Sequence, residues 1–204
     1  MDVDRDGQRM RLFFDGLERV VITTLFAWLT WRIAGSLSTN AWNLIFLLGE
    51  GAVAVMVLLR RSTEQISLKP QDWLIGFAGT SLPMLLIPTD QGIASGVIFL
   101  LVGVLLALVA KLSLRRSFGI VAANRGVKAS GIYRAVRHPM YLGYFIAYVG
   151  TFMLNPSLFN LGLLTLWAGC QIYRIHAEER ILMQDPAYQA LALQTRYRLL
   201  PFVY

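Results

Sequence analysis

From Ile93 to Ala110 the chain carries no charged side chain, and this run constrains the fold more than any other feature. About 20 apolar residues in a helix cross the hydrocarbon core of a bilayer. Lipid admits only structures that satisfy every backbone polar group internally. Six segments read as spanning helices: Val20–Leu37, Ala41–Leu59, Trp73–Ile87, Ile93–Leu112, Pro139–Leu154 and Ser157–Ile175. The third contains Pro83. Only 15% of residues are charged and 56% are hydrophobic, whereas an ordinary soluble domain carries about 25% charged residues. The expected fold is an all-α, polytopic membrane bundle of about six helices.

The net charge of +7 would raise nucleic acid as a partner in a soluble chain. Here the basic residues fall in short loops between apolar segments, which marks them as topology signals and contacts for anionic membrane lipids. Arg60, Arg61 and Lys69 lie between the second and third segments. Lys111, Arg115, Arg116, Arg125, Lys128, Arg134 and Arg137 lie between the fourth and fifth. The other linkers have no Lys or Arg, so both termini are expected in the cytoplasm, with the chain in an inner membrane. Met1–Arg11 reads as a short amphipathic or disordered lead-in rather than a signal peptide. The PFVY end offers no prenylation site. Cys170 is the one cysteine, and His138 and His176 are the two histidines. No intrachain disulfide can form, and neither a structural nor a catalytic metal is expected.

The linker Asn155–Pro156 folds the last two segments into a tight helical hairpin, with Asn155 as a candidate cap of the final helix. The hairpin carries two distant polar segments to one end. One is GIYRAVRHPMYLGY, with Arg134, Arg137 and His138 directly before Pro139. The other is YRIHAEERIL, with Arg174, Glu178 and Glu179. Proline suits the first turn of a helix, and the free N–H groups beyond it attract an anion. Equally, Pro139 could simply start a membrane helix with basic flanks. Arg174 and Glu178 stand four apart, so they could form an exposed ion pair or line a shielded pocket. Tyr133, Tyr141 and Tyr144 could anchor the interface, stack on an adenine, or face a sulfonium cation.

Taken together, SGIYRAVRHPMYLGY, the Asn-Pro bend and RIHAEERIL resemble the isoprenylcysteine carboxyl methyltransferases and their bacterial and archaeal relatives. The motif residues are Arg137, His138, Pro139, Tyr141, Gly143, Glu178 and Glu179. The resemblance covers roughly residues 113–204, and residues 1–112 match only as generic membrane helices. It implies an S-adenosylmethionine-dependent methyltransferase with a cytosol-facing cofactor pocket. Tyr133, Arg137, His138, Pro139, Met140, Tyr141, Glu178 and Glu179 would contact the cofactor. The loop Arg125, Gly126, Val127 and Lys128 occupies the position of a further cofactor segment, with residue types less like the family's. Arg174 would face a substrate carboxylate beside Tyr144, and Arg174 and Glu178 are the candidate catalytic residues. The acceptor would be a lipid-like or prenylated molecule. The family's tail often has a Tyr-x-x-Tyr, where this chain has Tyr188 followed by Leu191. The tail residues Arg196, Tyr197, Arg198 and Pro201 resemble those of bacterial relatives.

Two other classes remain at this point. Membrane sterol reductases share a related hairpin but bind NADPH, and Arg125, Lys128 and Arg137 could hold its extra phosphate. A non-enzymatic subunit or transporter would place charges at mid-helix, where Arg32 and Glu50 are the candidates.

Overall fold

The computed structural model describes residues 2–34, 55–201, 203 and 204. The expected second span lies mostly outside these residues, as does Glu50, and the side chain of Arg32 is likewise not described. The described chain is helical, with one isolated antiparallel bridge between Ile66 and Ala123 and no strand.

Helix α1 runs unbroken over Asp2–Ala34. The charged lead-in is therefore helical, and it docks: Gln8 donates to Glu64 at 2.5 Å and Arg11 to the Glu64 carbonyl at 3.2 Å. Helix α2 covers Pro70–Ser81 and tightens into a 3-10 turn at Leu82–Leu85. Pro83 removes an N–H from the helix and clashes with the preceding turn, so the third apolar segment makes a short helix instead of a full span. Helix α3, Gly96–Leu114, follows. Gly96–Ser117 is the one stretch among the described residues long and apolar enough to cross a membrane. Helices α4, Pro139–Leu154, and α5, Leu158–Leu182, form the hairpin. Helix α6 covers Pro186–Gln194. The six-span expectation is thus not met among the described residues. The 16 residues of α4 fall short of a full crossing, and the apolar part of α1 continues a polar amphipathic helix.

Large apolar side chains on α3 point outward: Ile98, Phe99, Val102, Leu105 and Leu112 are all exposed. The opposite face is small. A Cβ on Gly103 would lie 2.2 Å from the Ala147 backbone nitrogen, and one on Gly143 would lie 2.5 Å from that of Ala107. Helices α3 and α4 therefore pack backbone to backbone, the mode in which small residues let helices associate in lipid.

The hairpin turn is capped by Ser157, not Asn155. The Ser157 hydroxyl accepts from the Asn160 N–H at 3.0 Å. Asn155 instead ends α4 and accepts from the Thr89 N–H at 3.1 Å. The fully buried Asn160 bonds both the N–H and the carbonyl of Ile87. Helix α5 lies on α2, where Trp167 and Gln171 both donate to the Gly79 carbonyl.

Candidate active site

The α4–α5 hairpin brings Pro139 and the far end of α5 to the same end of the bundle, beside the loop that follows α3. A solvent-open cleft lies there. His138, Met140, Tyr141 and Tyr133 form one side. Glu178 and Leu182 of α5 and Tyr188 and Leu191 of α6 form another. Phe118, Gly119, Val121 and Arg125–Lys128 close it from the loop.

Adjacent carboxylates take different parts. Glu178 faces the cleft, accepts from the Tyr141 hydroxyl, and lies 3.9 Å from His138 Nδ1. Glu179 lies behind His138 and is buried. It accepts from Arg137 Nε at 2.8 Å, Arg198 Nε at 2.7 Å and the Tyr188 hydroxyl at 3.2 Å, and sits 3.2 Å from His138 Nε2. Burial alone would raise its carboxyl. Hydrogen bonds from His138 and Arg198, with the charges of His138 and Arg137, outweigh burial and bring it down to about 2. The same bond raises Arg198 above the usual guanidinium value. Burial pushes the Tyr133 and Tyr188 phenols up, so both stay protonated as donors.

The tail fixes this corner from outside. The backbone N–H groups of Arg137 and His138 donate to the carbonyls of Tyr197 and Arg198, each at 2.9 Å. Arg137 Nη1 also donates to the carbonyls of Thr195 and Arg196.

Arg174 is buried and forms no salt bridge with Glu178. Its guanidinium donates to Gln171 at 3.0 Å and to the Ile120 carbonyl at 3.2 Å, and it stacks 5.4 Å from the Tyr141 ring centre. Its Nε is buried with no hydrogen-bond partner. Tyr141 meets Tyr144 edge to face at 6.2 Å, and Lys111 sits 5.3 Å over Tyr144. Arg174 and Tyr144 thus stand behind Tyr141 rather than in the cleft wall.

Ten of the twelve expected cofactor contacts line the cleft; Pro139 and Glu179 do not. Arg125 lines it, but its guanidinium pairs with Asp15 at 2.8 Å and Glu18 at 2.7 Å. It also crosses Gly119 so closely that a Cβ there would lie 2.2 Å from Nη1. Sequence reasoning missed Phe118, Gly119, Val121, Leu182, Tyr188 and Leu191 as cleft residues. The departure at Tyr188–Leu191 was the available signal for two of them, since both side chains are buried against the cleft.

No match to a curated protein was found. Residues 92–189 match the phospholipid methyltransferase family, a segment that contains α3, the loop, the hairpin and the start of α6. The members of this family are membrane-associated methyltransferases. Residues 92–189, just under half of the chain, are therefore similar to the phospholipid methyltransferase family, which is the isoprenylcysteine carboxyl methyltransferase-like family.

Proposed function

We propose that the protein is an integral membrane methyltransferase that uses S-adenosylmethionine to methylate a lipid-like acceptor carrying an anionic group, such as an isoprenylcysteine-type carboxylate. The observation that carries this reading is the convergence of His138, Tyr141 and Glu178 on one cleft, with Arg174 stacked on the far side of Tyr141.

The cleft suits the cofactor chemically. Phe118, Met140, Leu182 and Leu191 supply apolar surface for a nucleoside. Glu178 supplies a carboxylate for ribose hydroxyls or a positive charge, and Lys128 a cation at the loop. When bound, the cofactor supplies an activated methyl group on a sulfonium. The protein's own task is then orientation and field. A carboxylate acceptor needs no general base, and Arg174 with its unpartnered Nε is the group to orient it. With an amine or thiol acceptor, Glu178 or His138 would take the proton.

The arrangement of charge disfavours an NADPH site. Of the three cations that could hold an extra phosphate, Arg125 is paired with Asp15 and Glu18, and Arg137 with Glu179. Lys128 remains.

The test is calorimetric titration of the purified protein with S-adenosylhomocysteine and with NADPH. Labelled-methyl transfer into a lipid extract and a panel of prenylated thiols should follow, with the product identified by mass. Binding of S-adenosylhomocysteine and labelled product are expected. Binding of NADPH alone would replace this reading with the reductase.

A further inference from the structure

The cofactor-side loop is not held by the matched segment alone. Glu18, on α1 and outside residues 92–189, is fully buried. Its Oε1 accepts from the backbone N–H groups of Ile120 and Val121, both at 2.8 Å. Its Oε2 pairs with Arg125 at 2.7 Å and with Arg60 at 2.9 Å. Asp15, one turn earlier on α1, pairs with the same two arginines. Side-chain exposure across the four residues is 3% or less.

Such a cluster is a poor device for stability alone. Taking charges out of water costs several kcal/mol per ion, and well-packed apolar residues of similar volume often do as well. What apolar residues cannot do is grip two consecutive backbone N–H groups. The gripped peptide is central to the site. Phe118, Gly119 and Val121 line the cleft around it, and the Ile120 carbonyl receives Arg174 Nη2. Arg125, held by the same carboxylate, fixes the other end of the loop above Gly119.

We infer that Glu18 is a positioning residue for methyl transfer: α1 uses it to set the loop that walls the cofactor cleft and to aim Arg174 through the Ile120 carbonyl. This rests on the reading of the cleft as the cofactor site. It gives the N-terminal helix a part in the chemistry beyond anchoring. Arg60 provides the internal control, because it belongs to the same ion cluster but, among the described residues, its side chain bonds only to α1.

Glu18→Ala and Arg60→Met are compared with the unmodified protein by thermal unfolding and by titration with S-adenosylhomocysteine. Both substitutions are expected to lower the melting temperature. Only Glu18→Ala is expected to weaken S-adenosylhomocysteine binding, by about tenfold or more, the loss expected when a charged hydrogen-bond acceptor is removed. Equal loss of affinity in the two variants, or retained affinity in Glu18→Ala, would reduce the cluster to a structural role and overturn the inference. Should Glu18→Ala fail to fold, hydrogen exchange on the unmodified protein decides. The Ile120 and Val121 amides are expected to be protected without ligand, and fast exchange at both overturns the inference. Failure of the unmodified protein to bind S-adenosylhomocysteine would strike the proposed function instead, and the exchange measurement would still decide whether Glu18 holds the loop.

Discussion

His138 Nδ1 lies 3.9 Å from Glu178 Oε2, although the two residues belong to different arms of the hairpin. The Tyr141 hydroxyl donates to the other oxygen of the same carboxylate. Three side chains thus meet where one nucleoside could touch them all. His138→Ala and Glu178→Ala should each weaken S-adenosylhomocysteine binding by about 10- to 100-fold, the range for losing a hydrogen bond to a charged group. Calorimetric titration checks this, and unchanged affinity in both variants would remove the pair from the proposed cofactor site.

Arg174 should behave differently. It stands behind Tyr141, and Glu18 holds the shared Ile120 peptide from the other side. Arg174→Ala should therefore lower kcat by about 10²-fold, the scale of a misplaced reactant, while S-adenosylhomocysteine affinity largely survives. Single-turnover methyl transfer with saturating cofactor separates the two. A variant that lost cofactor affinity and kept kcat would reverse the assignment.

The hairpin and its polar end were legible because each arm is apolar for most of its length and the charges gather where it stops. The His-Pro corner and the Glu pair could be paired from sequence for that reason. Which of Glu178 and Glu179 faces the cleft could not be read, because neighbours on a helix differ by about 100° of rotation and the rotation of α5 is set by packing on α2. Ser157 takes the cap from Asn155 because the Asn155 side chain is engaged by the distant Thr89 N–H and its carbonyl by the Asn160 side chain. Glu18 was invisible for a different reason. In sequence it is one charge among many in a mixed-sign helix, and only the fold brings the α3–α4 loop onto it. The third expected span is not one long helix, because Pro83 interrupts a hydrophobic run that composition alone would carry through.

The α3–α4 contact makes a sharp prediction about size. Gly143→Ala places a methyl group where a Cβ would be 2.5 Å from the Ala107 nitrogen, a backbone atom that cannot rotate away. The helices must separate, at a cost of about 1–3 kcal/mol or more. Gly162→Ala, on an exposed turn of α5 with no atom within 4 Å of the new carbon, should leave stability unchanged or raise it by up to about 1 kcal/mol through better helix propensity. Melting temperatures of the two variants in the same detergent test the contrast. Equal melting temperatures would mean that α3 and α4 do not pack this way in the membrane.

Glu179 predicts how the fold responds to acid. Its carboxyl falls from an ordinary 4.5 to about 2 against the opposing effect of burial, because His138, Arg198 and Arg137 stabilise the charged form. A carboxylate lowered in the folded state contributes stability that is complete above its unfolded value and is lost as pH falls toward the folded one. The loss should therefore run from about pH 4.5 down to about pH 2. Tyr188, the remaining group facing this carboxylate, stays protonated throughout because burial raises it. Glu179→Gln should destabilise the protein by about 3 kcal/mol at neutral pH, since Arg137 is left buried without its counterion. The variant should also lose this part of the acid-side slope. Melting temperature followed from pH 6 to pH 2 for both proteins measures it, and parallel slopes would show that Glu179 is not the hub that ties the tail to the His-Pro corner.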